Sequence, residues 1–149
     1  MFKKILYPTD FSEVAEKAVD YIKQLKEAGS QEVVIMHVVN QRIIDGLTRL
    51  AARNSDIEIW RKKAEEVARE SLADIARDLE NEGFVVKNMI RTGYPSQEIL
   101  DVEKKEDPSV IVLGSHGRSN LGEMLLGSVS EGVIRRCRRP VIVIKRERD

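Results

Sequence analysis

The chain has 149 residues, 42% of them hydrophobic and 34% charged, which suits a single globular unit spanning 1–149 with one core. Lysine plus arginine and aspartate plus glutamate each number 25, so a zero net charge gives no general pull toward nucleic acid or an anionic membrane. One cysteine, Cys137, excludes an internal disulfide; no apolar run could span a bilayer, and Met1-Phe2-Lys3-Lys4 is too polar to open a signal peptide, so a cytoplasmic protein is expected.

Lys4 to Tyr7 reads as a first short strand, stopped by Pro8-Thr9-Asp10. Phe11, Val14, Ala15, Ala18, Val19, Ile22 and Leu25 then recur at spacings of three and four, an amphipathic helix capped by Ser12 or Asp10 and ended by Gly29. Val33 to Val39 is apolar and β-branched, as befits a strand covered on both faces. Between 40 and 56 the pattern is weakest: Ile43, Ile44, Leu47 and Leu50 allow a short amphipathic turn, which Arg53-Asn54-Ser55-Asp56 interrupts. Trp60, Ala64, Val67, Ala68, Leu72, Ile75 and Leu79 mark a long helix that stops at Gly83.

Phe84 to Arg91 is the third strand, ended by Thr92-Gly93, and Pro95 opens a helix to about Lys105. Val110 to Leu113 is the fourth strand. A helix carrying Val129, Val133, Ile134 and Cys137 follows, Pro140 breaks it, and Val141 to Ile144 is the fifth strand. Strands alternating with helical crossovers predict an α/β fold: an open, doubly wound, mainly parallel five-stranded sheet with helices on both faces, for which we take the order 3-2-1-4-5. Ligands of such sheets bind beyond the carboxyl ends of the strands where the order reverses, here between strands one and four. That places the chemistry at Pro8-Thr9-Asp10 and from Gly114 onward.

The segment from Gly114 to Ser128 has the pattern G-x2-G-x9-G-S, leaving a strand and entering a helix. Glycines expose backbone N–H groups and, with serine hydroxyls, supply what a phosphate chain needs. The same glycines would also serve a plain tight turn and a helix entry. G-x4-G-K-[ST] is absent and no lysine lies in the segment, so it is not a Walker A loop, and its glycine spacing is not the G-x-G-x-x-G of a dinucleotide site. Ser128-Val129-Ser130-Glu131 fits a capping box, which predicts a helix start at Ser128 and competes with any Ser128–phosphate bond.

The whole chain resembles the universal stress protein family, in its ATP-binding branch. The resemblance rests on Lys3 to Ser12, the His37-Val38 strand end, Gly114-Ser115-His116-Gly117-Arg118, and Gly127-Ser128 followed by an arginine-rich helix and Pro140-Val141. It implies that Pro8, Thr9 and Asp10 lie by the adenosine, with Asp10 near the ribose or a phosphate-bound Mg²⁺ or Mn²⁺. It implies that the Val38 backbone reads the adenine edge, and that Gly114, Gly117, Gly127, Ser128 and Val129 hold ribose and phosphates, with His116 and Arg118 beside them. Members of this branch commonly dimerise through the last strand, and an apolar edge at Val141–Ile144 calls for such cover.

Other residues have plainer readings beside the functional ones. Asp10 can cap a helix as well as face a metal. His37 reads as a satisfied, half-buried side chain, and two isolated histidines do not make a zinc site. Arg135, Arg136, Arg138 and Arg139 suit a solvated helix C-terminus better than a nucleic-acid patch, lacking interleaved aromatics. Cys137 lies on the apolar spacing and reads as packed. The expected function is an ATP-binding stress-response or signalling module, a homodimeric nucleotide-dependent switch with an unknown protein partner. A slow Mg-dependent ATPase or phosphotransferase is the alternative; a receiver-like or flavodoxin-like domain lacks its acidic cluster here.

Overall fold

Every apolar run predicted as a strand is one, and the five strands form a single sheet. We describe a computed structural model covering residues 1–50, 52–116 and 126–146. The strands are β1 (Lys4–Pro8), β2 (Glu32–Asn40), β3 (Val85–Gly93), β4 (Val110–Gly114) and β5 (Val141–Ile144). The helices are α1 (Glu13–Leu25), α2 (Gln41–Arg49), α3 (Asn54–Asn81), α4 (Pro95–Glu106) and α5 (Ser128–Arg136). The strand order is β3-β2-β1-β4-β5, and all four pairings are parallel. Residues Gly117 and Arg118 lie outside the described residues.

Side chains alternate across each strand, so the sheet buries two separate faces. On one, Ile5, Tyr7, Ile35 and Val112 pack with Ile22 of α1 and Leu72 and Leu79 of α3. On the other, Leu6, Met36 and Leu113 pack with Ile99 and Val102 of α4 and Val133 of α5. This two-sided cover is why β1, β2 and β4 read as unbroken apolar runs.

Local chemistry sets the helix ends, with some departures from expectation. Ser12, not Asp10, caps α1 by accepting the Ala15 N–H; Asp10 Oδ1 instead accepts the Ser12 N–H at 3.0 Å and braces the turn before the helix. Phe11 belongs to that turn and not to the helix: its φ of 63° is left-handed, and its ring stacks on His37. The capping box at Ser128 does not form. Gly127 is the N-cap, Ser128 is the first helical residue, and the cap residue itself has no side chain to bond the first turn of α5. The weak stretch after β2 is a full helix, α2, capped by Asn40 and with no buried residue. It is held by partial burial against α3 and β3 and by the Tyr94 hydroxyl, which donates to Asp45 at 2.6 Å. Arg135 and Arg136 lie in the last turn of α5, whereas Arg139 pairs with Asp107.

One buried polar group gives the fold a pH limit. The Tyr7 hydroxyl, fully buried, donates to the Ala15 carbonyl. Burial, partly offset by a Thr9 hydrogen bond, pushes its pKa up to about 12. A raised folded pKa gives stability that is whole below the unfolded value near 10 and is lost as pH climbs through 12. Two units correspond to about 2–3 kcal/mol. Denaturant titrations between pH 9 and 12 should therefore show a steeper loss in the wild type than in Tyr7→Phe; parallel curves would show that this phenol does not govern alkaline unfolding.

Candidate functional site

β1 stops at Pro8, and its end defines an opening in the sheet. The last β1–β2 pair is Pro8 with Met36, whose carbonyl accepts the Thr9 N–H at 2.8 Å. In a strand, every second residue turns its N–H and C=O to the same side. Val38 therefore points its backbone groups to the β1 side, beyond the end of β1. The Thr9 carbonyl, the nearest acceptor in register, is taken by His37 Nδ1 at 2.9 Å, which fixes the proton on that nitrogen. The predicted switch point is thus a place where β2 offers an unladdered backbone edge.

Across the opening, β4 ends at Gly114 and the chain later re-enters at α5. The Gly127 N–H donates to the Ser115 carbonyl at 2.7 Å, and Ser130 Oγ donates to the Gly114 carbonyl at 2.6 Å. Ser115 N–H in turn bonds Ile144 O at 2.8 Å, tying the turn to β5. These bonds aim the first turn of α5, whose early N–H groups have no helical acceptor, at the opening. Gly114 has a packing reason as well: a Cβ there would sit 3.1 Å from Val14 Cγ1 and 3.4 Å from Ala15 N. Its bareness lets α1 approach β4.

Between these elements lies a cavity of about 650 Å³. Pro8, Thr9, Asp10, Val38, Gly114, His116, Gly127, Ser128 and Val129 all line it, so every described residue predicted for the site converges there. His116 Nδ1 lies 2.8 Å from Ser115 Oγ. Asp10 is the one carboxylate among the described lining residues, against the cations Arg42 and Lys63. Together with the α5 N-terminus, this favours an anion. Among the described residues no group of three or more His, Cys, Asp or Glu could hold a metal ion, and no helix is long and apolar enough to cross a membrane.

The sequence reading missed one wall. Asn40, Arg42 and Ile43 of the β2–α2 region and Trp60, Lys63, Ala64 and Val67 of α3 also line the cavity. Trp60, Ala64 and Val67 had the spacing of a core face, and spacing alone does not say where along a helix the core ends. Length does. The 28 residues of α3 span about 42 Å, and the nine of β2 about 30 Å, so the helix outruns the sheet by roughly two turns. Its buried residues, Ala68, Leu72, Ala76 and Leu79, all lie in the later half.

Cys137 lies at the C-cap of α5, where burial and the nearby Glu103 carboxylate push its thiol pKa up. That is opposite to what flanking arginines alone would do, and it agrees with a packed thiol.

A doubly wound sheet with an anion-favouring crevice at its switch point defines the open α/β class whose ligands bind beyond the carboxyl ends of the strands. Residues 1–145 match the model of the universal stress protein family, and the chain belongs to that family. It is similar to universal stress protein MJ0577 of Methanocaldococcus jannaschii, 41% identical over 99% of this chain and 97% of that protein. The solved structure of MJ0577 shares 40% identity and a TM-score of 0.91, covering 100% of this chain and 99% of that one. Universal stress protein YxiE of Bacillus subtilis is 30% identical over 97% of this chain and 100% of its own. The fold is also that of the Arabidopsis thaliana family member At3g01520, solved with AMP bound, at 17% identity and a TM-score of 0.65 over 97% of this chain and 92% of that one.

Proposed function

We propose that this protein is an ATP-binding module of the universal stress protein family, a homodimeric nucleotide-dependent switch in the cytoplasm. The observation that carries the reading is convergence: a backbone edge at Val38, a carboxylate at Asp10 and the helix start at Gly127-Ser128-Val129 face one cavity. An adenine nucleotide needs those three things in that relation: an edge for the base, a group near ribose or metal, and donors for phosphates. The AMP held by the Arabidopsis protein supports an adenine nucleotide in this fold.

In this reading Gly114, Gly117, Gly127, Ser128 and Val129 take ribose and phosphates, with His116 and Arg118 beside them. Because Gly127 is the N-cap, the Ser128 hydroxyl is not committed to capping α5, and the competition expected from the sequence falls away. Asp10, held in place by the Ser12 N–H, would complete the shell of a Mg²⁺ that the phosphates carry, since Mg²⁺ needs only one or two carboxylates there. β5 is an edge strand of four apolar residues, paired among the described residues with β4 alone, and a second copy would cover it. Residues 1–149 act as one unit in this scheme.

Isothermal titration calorimetry with ATP in Mg²⁺ is expected to show saturable, one-site binding that Asp10→Ala weakens. No binding under those conditions would overturn the reading. Sustained phosphate release by the purified protein, abolished in Asp10→Ala, would favour the ATPase alternative.

A further inference from the structure

The projecting half of α3 stands over the site and carries an aromatic ring, Trp60, among its lining residues. Four aromatic or imidazole rings line the cavity: Phe11, His37, Trp60 and His116, the last beside the start of α5. Phe11 and His37 stack on each other at 4.6 Å and 26°, which uses a face of each to hold the β1–α1 turn. Trp60 engages no ring among the described residues. It lies on one stripe with Ala64 and Val67, at i, i+4 and i+7, and all three line the cavity. Val67 remains half exposed, at 49%, although it faces that stripe, so the wall is incomplete as it stands.

A purine has two needs that differ in kind. Its edge takes hydrogen bonds, which the Val38 backbone offers, and its faces take flat apolar or aromatic surface. The sheet supplies the first and cannot supply the second alone. We propose that Trp60 is a base-positioning residue, whose indole, flanked by Ala64 and Val67, forms the wall against one face of the adenine. The inference rests on the nucleotide reading above and extends it to α3, on which the resemblance assigned no site residue. The part of the ligand that Trp60 recognises is the base, and the phosphates are held elsewhere.

Trp60 is the chain's sole tryptophan, so its emission reports on this wall alone. Wild-type protein is titrated with ATP and with inorganic tripolyphosphate, each followed by calorimetry and by indole fluorescence. ATP is expected to change the emission with the affinity that calorimetry gives, and tripolyphosphate to leave it unchanged. Trp60→Ala should bind ATP about tenfold more weakly, as loss of base stacking predicts, with unchanged tripolyphosphate affinity. Trp60→Phe, which keeps a flat ring and needs no refolded helix, should stay near wild type. Calorimetric ATP binding with no change in emission, or equal ATP affinity in Trp60→Ala, overturns the role of Trp60 and leaves the nucleotide reading standing. An absence of ATP binding in the wild type overturns both.

Discussion

Replacing Gly127 with aspartate is expected to abolish ATP binding while leaving the fold as stable as before, or slightly more so. The two effects separate because of how Gly127 sits. Its backbone, φ −72° and ψ 162°, is extended and open to any residue, so no strain demands a glycine. At an N-cap, aspartate is preferred to glycine by a few tenths of a kcal/mol, since its carboxylate can accept the N–H groups that α5 leaves uncapped. The same carboxylate would stand where the proposal places phosphates. At 4 Å and an effective dielectric near 20, two like charges repel by about 4 kcal/mol, enough to weaken binding at least ~100-fold. Thermal melts and calorimetry on one preparation check both halves. ATP affinity close to wild type would remove the phosphates from the start of α5, and a large fall in melting temperature would make Gly127 a residue of the fold.

The second large effect concerns Glu103, on α4, which is almost fully buried at 6% exposure. One of its oxygens, Oε1, accepts two backbone N–H groups, from Arg138 at 2.8 Å and Arg139 at 3.0 Å. Those donors lie between the end of α5 and β5, so this carboxylate fixes the angle at which the last strand joins the sheet. Hydrogen bonds to a charged group contribute about 1.5–3 kcal/mol each, and orphaned buried donors add a penalty. Glu103→Ala is expected to cost about 3 kcal/mol and to lower the melting temperature by roughly 6–12 °C. Glu103→Gln keeps an acceptor oxygen and should cost less. Because β5 is the proposed dimer strand, sedimentation should also show Glu103→Ala dimers dissociating at higher concentration than wild type. A melt that overlays the wild type would mean that water replaces the carboxylate.

The fold was legible because its core obeys simple periodicity. β1, β2 and β4 are buried on both faces and announce themselves as apolar runs, and the helical crossovers make the sheet parallel without by themselves choosing its strand order. Within the candidate site, Pro8-Thr9-Asp10 and Gly114 follow from where β1 and β4 end, whereas Val38 came from the family resemblance alone, since β2 runs on to Asn40. Less could be read where one spacing serves two purposes. Trp60, Ala64 and Val67 continue the stripe of Leu72 and Leu79, yet the upper part faces a cavity and the lower part the sheet. α2 has no buried residue, so a core-seeking pattern finds little in it. The apparent capping box failed because the preceding glycine already satisfies the geometry of an N-cap. At Arg138 and Arg139 the eye goes to the side chains, and the backbone bonds to Glu103 are invisible to any pattern.

The hydrogen bond from the Gly127 N–H to the Ser115 carbonyl closes the chain on itself at the foot of the segment between them. Both partners of that bond are main-chain groups, one just past β4 and one at the N-cap of α5, so the junction does not depend on the side chain at either position. Evolution, or an engineer, can therefore vary those two side chains while β4 and α5 stay joined and the five strands beneath keep their register.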